Sequence, residues 1–285
     1  MRTTSSSRRF AVISAIAASL VLAACGGDDG DGDGDGEEGG GGGTLVFGAS
    51  ADPIILDGAL FSDGESARPT YQIFEGLVGT EEGGTEIVPA LAESWEASED
   101  GLEWTFQLRE GVTFHDGTDF NAEAVCFNFE RWYNFEGVMQ SPAVTYYWNT
   151  VFGGFSDGAT PSLYAGCEAT DEFTAVISLT RPSSAFISAL QMPSFRIASP
   201  TALEEGNADA VGGTEESPAF EGTFGYENPA GTGPFQFESW ERGSNLTLVR
   251  YDDYWGEPAQ LDEIIFTVIP DGPARRQALE AGDID

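Results

Sequence analysis

The sequence predicts a mixed α/β fold, of the α+β kind with a mixed sheet. Three observations carry this. Segments of helical and of strand periodicity are interleaved along the chain. Capping and turn residues stand where one kind gives way to the other. Apolar residues make up 41% of the chain and aromatics 12%, enough to fill a core.

Taken in order, Thr44–Ala49 reads as the first strand. Residues 69–78 carry apolar side chains at helical spacing. Leu102, Trp104, Phe106 and Leu108 alternate with polar residues, the period of a half-buried strand. Gly117 closes a turn after His115 and Asp116. Asn121 then caps a helix whose apolar face is Val125, Cys126, Phe129, Trp132 and Tyr133. A strand over residues 173–179 follows, and a short helix over 184–190. Ser199 and Pro200 open another helix as cap and first-turn proline. Residues 206–230 read as a long loop. Strands are expected over 235–240, 246–250 and 264–269, and a last helix over 275–281. Trp95, Trp104 and Phe106 are expected in the core.

The first residues are an address. Arg2, Arg8 and Arg9 precede an apolar run of 15 residues from Phe10 to Ala24. That is too short to span a bilayer but fits the core of a signal peptide. The run ends Leu22, Ala23, Ala24, Cys25, and resembles the lipobox of bacterial lipoproteins. The resemblance implies cleavage after residue 24 and a lipid on Cys25, placing the protein outside the cytoplasm on the cell membrane. The Arg8–Arg9 pair leaves open export by the twin-arginine or the general route. Residues 26–43 contain only Gly, Asp and Glu, the composition of a solvated tether. Calcium-loop and dinucleotide-loop patterns inside it are artefacts of that composition, since no strand or helix flanks them. The domain plan is therefore 1–24 signal, 25–43 lipidated cysteine and tether, 44–285 folded.

Composition excludes several functions. All twelve basic residues are arginine, against 48 acids, for a formal charge of −36. Nucleic acid is not an expected partner, because its phosphates need basic patches. A P-loop lacks its lysine. His115 is the one histidine, so metal sites and catalytic devices needing two are excluded and no cofactor is expected. The segment GFSDG at 154–158 fits a nucleophile elbow, but its triad would need a histidine later in the chain. No catalytic residue is assigned. Beyond Cys25, the even pair Cys126 and Cys167 allows a disulfide outside the cytosol. Two buried free thiols remain the alternative, since Cys126 lies on an apolar helix face.

The longest-range signal lies in two groups of blocks. The first is PALAESWEASEDG at 89–101, LEWTFQLREGVTFHDGT at 102–118 and NAEAVCFNFER at 121–131. The second is GTGPF at 231–235, YDDYWG at 251–256, LDEI at 261–264 and RQALEAGDID at 276–285. In content, order and spacing these resemble family 5 extracellular solute-binding proteins, the peptide- and nickel-type receptors of ABC importers. The resemblance implies the type II periplasmic-binding fold, two lobes closing on a cleft, and a monomer that passes a peptide-like solute to an ABC permease and ATPase complex. It also implies a chain about twice this length, so residues 44–285 are expected to be the first lobe with its inserted subdomain, cut before the second. His115 is expected to be a hydrogen-bonded structural residue.

The stretch ILDGALFSD at 55–63 resembles the family's Leu-Asp-Pro segment, with Gly58 in the proline's place. The residues just beyond that segment line the ligand in peptide-binding relatives, which points to Phe61, Ser62 and Asp63. Tyr146, Tyr147 and Trp148 form an aromatic cluster that either lines the cleft wall or belongs to the core. Neither group selects peptide over oligosaccharide or nickel chelate. Two other functions fit the same residues less closely: a surface sensing or adhesion lipoprotein, and a secreted hydrolase using paired carboxylates.

Overall fold

Alternating apolar residues build two four-stranded sheets. The computed structural model describes residues 42–81, 83–158 and 160–285. The signal segment, Cys25 and the tether up to residue 41 lie outside the described residues. The chain runs β1 (Thr44–Ala49), α1 (Gly64–Ile73), β2 (Val78–Thr80), β3 (Ile87–Pro89), β4 (Ala92–Ala97), β5 (Glu103–Leu108), α2 (Ala122–Tyr133) and α3 (Tyr146–Val151). It continues through β6 (Tyr164–Asp171), β7 (Thr174–Leu179), α4 (Phe186–Ala189), α5 (Pro200–Glu205), β8 (Val211–Thr214), β9 (Ser217–Phe220) and α6 (Phe224–Glu227). It closes with β10 (Phe235–Glu241), β11 (Asn245–Arg250), β12 (Glu263–Val268) and α7 (Gly272–Ala281).

The first sheet has the order β1–β12–β11–β10. Its first pair is parallel and the others antiparallel. Register sets Leu45 beside Ile264 and Phe47 beside Phe266, with Leu246 and Leu248 following on β11. These residues share one hydrophobic cluster with Ile73 and Phe74, at the end of α1, and with Phe224. The second sheet, β4–β5–β7–β6, is wholly antiparallel. On β5, Phe106 and Leu108 are buried while Glu103 and Gln107 face solvent, so the strand's period sorts its two faces. Trp95 and Trp104 are half-buried at the margin of that core, Trp104 against Phe186.

Helix α2 packs across β6 and β7. Asn121 Oδ1 accepts from Ala124 N at 2.9 Å, and Glu123 and Arg131 sit at the ends of the helix that favour their charges. Val125, Phe129 and Trp132 are buried. Cys126 on this helix is joined to Cys167 on β6, with Cα atoms 5.2 Å apart. Of the two states open to the cysteines, the described chain has the bridge.

Two segments differ from expectation. The helix read over 69–78 runs instead over Gly64–Ile73, capped by Asp63, and the chain is extended from Phe74. Phe74, Leu77 and Val78 are all buried beyond the helix end, so their spacing reflects burial of an extended segment and not a helix. Gly76 fixes the change: a Cβ there would lie 3.0 Å from the carbonyl oxygens of Leu190 and Val78. The loop read over 206–230 contains the hairpin β8–β9 and the short helix α6. Its strands are four residues each and carry only Val211 and Phe220 as large apolar anchors, too little periodicity to register. No helix among the described residues is long and apolar enough to cross a membrane.

Candidate functional site

The segment between β1 and α1 is pinned at nearly every step. Ser50 Oγ donates to the Glu65 carboxylate. Asp52 accepts from Trp240 Nε1 at 3.2 Å and from Gly243 N. Ile54 N donates to Ser66 Oγ at 2.8 Å, and Leu56 N to Gly225 O at 3.0 Å. Asp57 then turns inward to Arg131, 2.7 Å away, which also reaches Asp209 at 2.8 Å. Burial opposes the charge on Arg131, but Asp57 and Asp209 outweigh it and hold the guanidinium above its usual range.

This scaffold positions the first group of candidates. Phe61 is buried in the core, Ser62 is exposed and Asp63 half-buried. Asp63 Oδ1 caps α1 through Ser66 N at 2.8 Å, while Oδ2 is buried without a protein partner. Gly58 lies tight against the next segment: a Cβ there would fall 2.3 Å from Pro193 O. That contact leaves no room for a proline ring at this position.

The second group divides. Tyr146 is 48% exposed. Tyr147 is half-buried, its ring 5.2 Å from that of Tyr146. Trp148 belongs to the core: it is buried, its Nε1 donates to Gly154 O at 3.2 Å, and its ring stacks on Phe152 at 4.4 Å. Phe61 and Trp148 share one hydrophobic cluster. No hydrogen bond joins residues 61–63 to residues 146–148 among the described residues.

The signature blocks converge elsewhere. His115 N donates to Gly231 O at 2.8 Å, His115 Nδ1 accepts from Gly231 N at 3.4 Å, and Nε2 donates to Gly233 O at 2.9 Å. The ring meets Tyr251 edge-on at 4.7 Å. Burial draws this imidazole down to about 4, against the pull of the Gly233 carbonyl and of Asp116. It is neutral and structural at ordinary pH. Nearby, the Glu75 carboxylate accepts from Thr232 Oγ1 at 2.9 Å, Tyr254 Oη at 2.8 Å and Trp255 Nε1 at 2.7 Å. Burial raises its pKa above the usual carboxylate value despite these donors and the neighbouring Arg196. Glu75 was not legible as a hub, since nothing marks it among 48 acids.

Of the open cavities among the described residues, two lie beside the segments just described. One of about 520 Å³ is lined by Asp116, Glu205, Glu227 and Glu238, but Asp116 is already engaged by Thr118 and Ser199. The other, about 550 Å³, is apolar and lies on the first sheet beside Leu45, Phe47, Tyr71 and Phe266. Among the described residues no three His, Cys, Asp or Glu side chains are grouped to hold a metal ion.

Residues 86–285 match the family model described as bacterial extracellular solute-binding proteins, family 5 middle. The chain is 33% identical over 255 residues to the dipeptide-binding protein of Escherichia coli K12, covering 84% of this chain and 43% of that protein. It is 31% identical over 288 residues to heme-binding protein A of Haemophilus influenzae, covering 96% and 49%. Among solved structures, the periplasmic binding protein DppA of Helicobacter pylori in complex with the peptide STSA superposes with a TM-score of 0.67. It is 33% identical, with 86% of this chain and 46% of that one covered. The chain thus spans less than half the length of these relatives.

Proposed function

The chain belongs to the family 5 bacterial extracellular solute-binding proteins, and from that premise we propose that it is the first lobe, with its inserted subdomain, of a lipid-anchored receptor that hands a peptide-like solute to an ABC import permease. The observation that carries this reading is the family match over residues 86–285. Relatives named for dipeptide binding, and a structure holding a bound peptide, support the ligand class. The anchor rests on Cys25 and the lipobox before it. In this reading Ser62, Asp63, Tyr146 and Tyr147 face the ligand, while Phe61 and Trp148 hold their backbones in place. In the same reading the receptor acts as a monomer that binds without turnover.

Titration calorimetry on the receptor, with its second lobe, against defined di- and tripeptides tests the reading. Saturable heat with unchanged peptide recovered afterwards is the expected result. Heat with haem alone would move the assignment towards the second relative, and no heat with any of these ligands would overturn it. Fatty-acid labelling that disappears in Cys25→Ser tests the anchor.

A further inference from the structure

We propose that a small cavity at the seam between the two hydrophobic clusters is a hydration site. It holds one ordered water that accepts from Arg196 Nε–H and donates to Asp57 and Asn128. The cavity measures about 10 Å³, and its polar lining is Asp57, Asn128, Arg131 and Arg196. Trp132 closes it from one cluster and Phe224 from the other. That volume is at the lower bound for a single water, which needs two to four polar partners.

Each partner has a reason to take part. Arg196 Nε–H is buried and meets no acceptor in the protein. The guanidinium cannot turn to find one: Nη1 donates to the carbonyls of Tyr71 and Phe74, and the group lies 4.2 Å over the Tyr71 ring. Asp57 Oδ1 accepts from Ala59 N at 3.1 Å and has only a 3.5 Å contact with Arg131 Nη1, so it retains lone-pair capacity. Asn128 Nδ2 uses both protons, on Ala124 O and Ala198 O. Its Oδ1 takes one bond from Ala198 N at 3.2 Å and is open to a second.

A neighbouring void provides the contrast. It has the same volume, about 10 Å³, and is lined by Ala59, Trp132, Phe135, Trp148, Ser194 and Phe195. Ser194 Oγ is the one side-chain hydroxyl there. That hydroxyl is also buried without a protein partner, but the rest of the side-chain lining is hydrocarbon and aromatic, so fewer polar groups face this void and it is the poorer water site.

A crystal structure that resolves ordered waters tests the assignment. One water is expected within hydrogen-bond distance of both Arg196 Nε and Asp57, and none beside Ser194. A first cavity without density, or one filled by a shifted side chain, would overturn it. In solution, oxygen-17 relaxation dispersion should show one long-lived water fewer in Arg196→Met than in the unaltered protein, and an unchanged number would equally overturn it. If that variant does not fold, the crystal structure of the unaltered protein decides alone.

Discussion

Arg131 Nη2 stands 2.7 Å from Asp57 Oδ2, and neither side chain exposes more than 5% of its surface. The pair ties the third turn of α2 to the loop leading into α1. Asp209, half exposed, shares the same guanidinium. Removing the buried partner Asp57 leaves Arg131 with only the half-exposed Asp209. Asp57→Asn should therefore cost about 3–5 kcal/mol in urea unfolding, and Asp209→Asn about 1 kcal/mol or less. Equal losses would mean that Asp57 is not the principal partner.

The bridge between Cys126 and Cys167 constrains 41 residues of the unfolded chain. In the chain-entropy account that is worth about 4 kcal/mol. Cys126→Ala with Cys167→Ala should lower the urea midpoint accordingly, and a reducing agent should do the same to the unaltered protein. A midpoint insensitive to both treatments would contradict the bridge.

The neutral state of His115 makes stability depend on pH. Its native pKa is about 4, against 6.5 unfolded. Between those values the unfolded chain binds a proton that the native chain does not. The stability it contributes is complete above pH 6.5 and is lost as pH falls towards 4, by about 3 kcal/mol in all. His115→Asn should be less stable at pH 7 and lose less between pH 6.5 and 4 than the unaltered protein. Parallel pH profiles would contradict this.

Gly58 sits in a tight contact, and a proline in its place should harm this chain. The added Cβ would press on the Pro193 carbonyl, a backbone atom that cannot swing aside. Gly58→Pro and Gly58→Ala should each lower stability by about 1–3 kcal/mol, as overpacking does. A melting temperature raised by either change would show that the two segments separate easily.

From Thr44 onwards the chain carries a formal charge of −32, with no lysine. Such self-repulsion is screened within about 10 Å at 0.1 M salt. The melting temperature should rise from low to molar salt, and a flat response would show that the charges are already compensated.

Regular elements were legible where period and cap agreed. Asn121, Ser199 and the alternation through Phe106 each located an element within a residue or two. Residues 74–78 misled because the buried Phe74, Leu77 and Val78 of an extended segment happen to have the spacing of a helix face. The hairpin at 211–220 gave no signal, since it rests on two apolar anchors. Within the site, nothing local links Arg131 to Asp57 or Glu75 to Trp255. Those partners lie 74 and 180 positions apart, and only the folded chain brings them together. The aromatic triplet was ambiguous for a related reason: ring chemistry is the same for Trp148 inside and Tyr146 outside.

The parallel pairing of β1 with β12 sets an order of assembly. Thr44 and Glu263 are 219 residues apart, so the first sheet can add its edge strand β1 only after nearly the whole described chain is available. The β4–β5–β7–β6 sheet, α2 and the cysteine bridge all fall within residues 92–179. Nearer contacts close at a smaller entropic cost. Loop-closure entropy therefore favours forming this inner unit and its bridge before the two ends of the chain are paired.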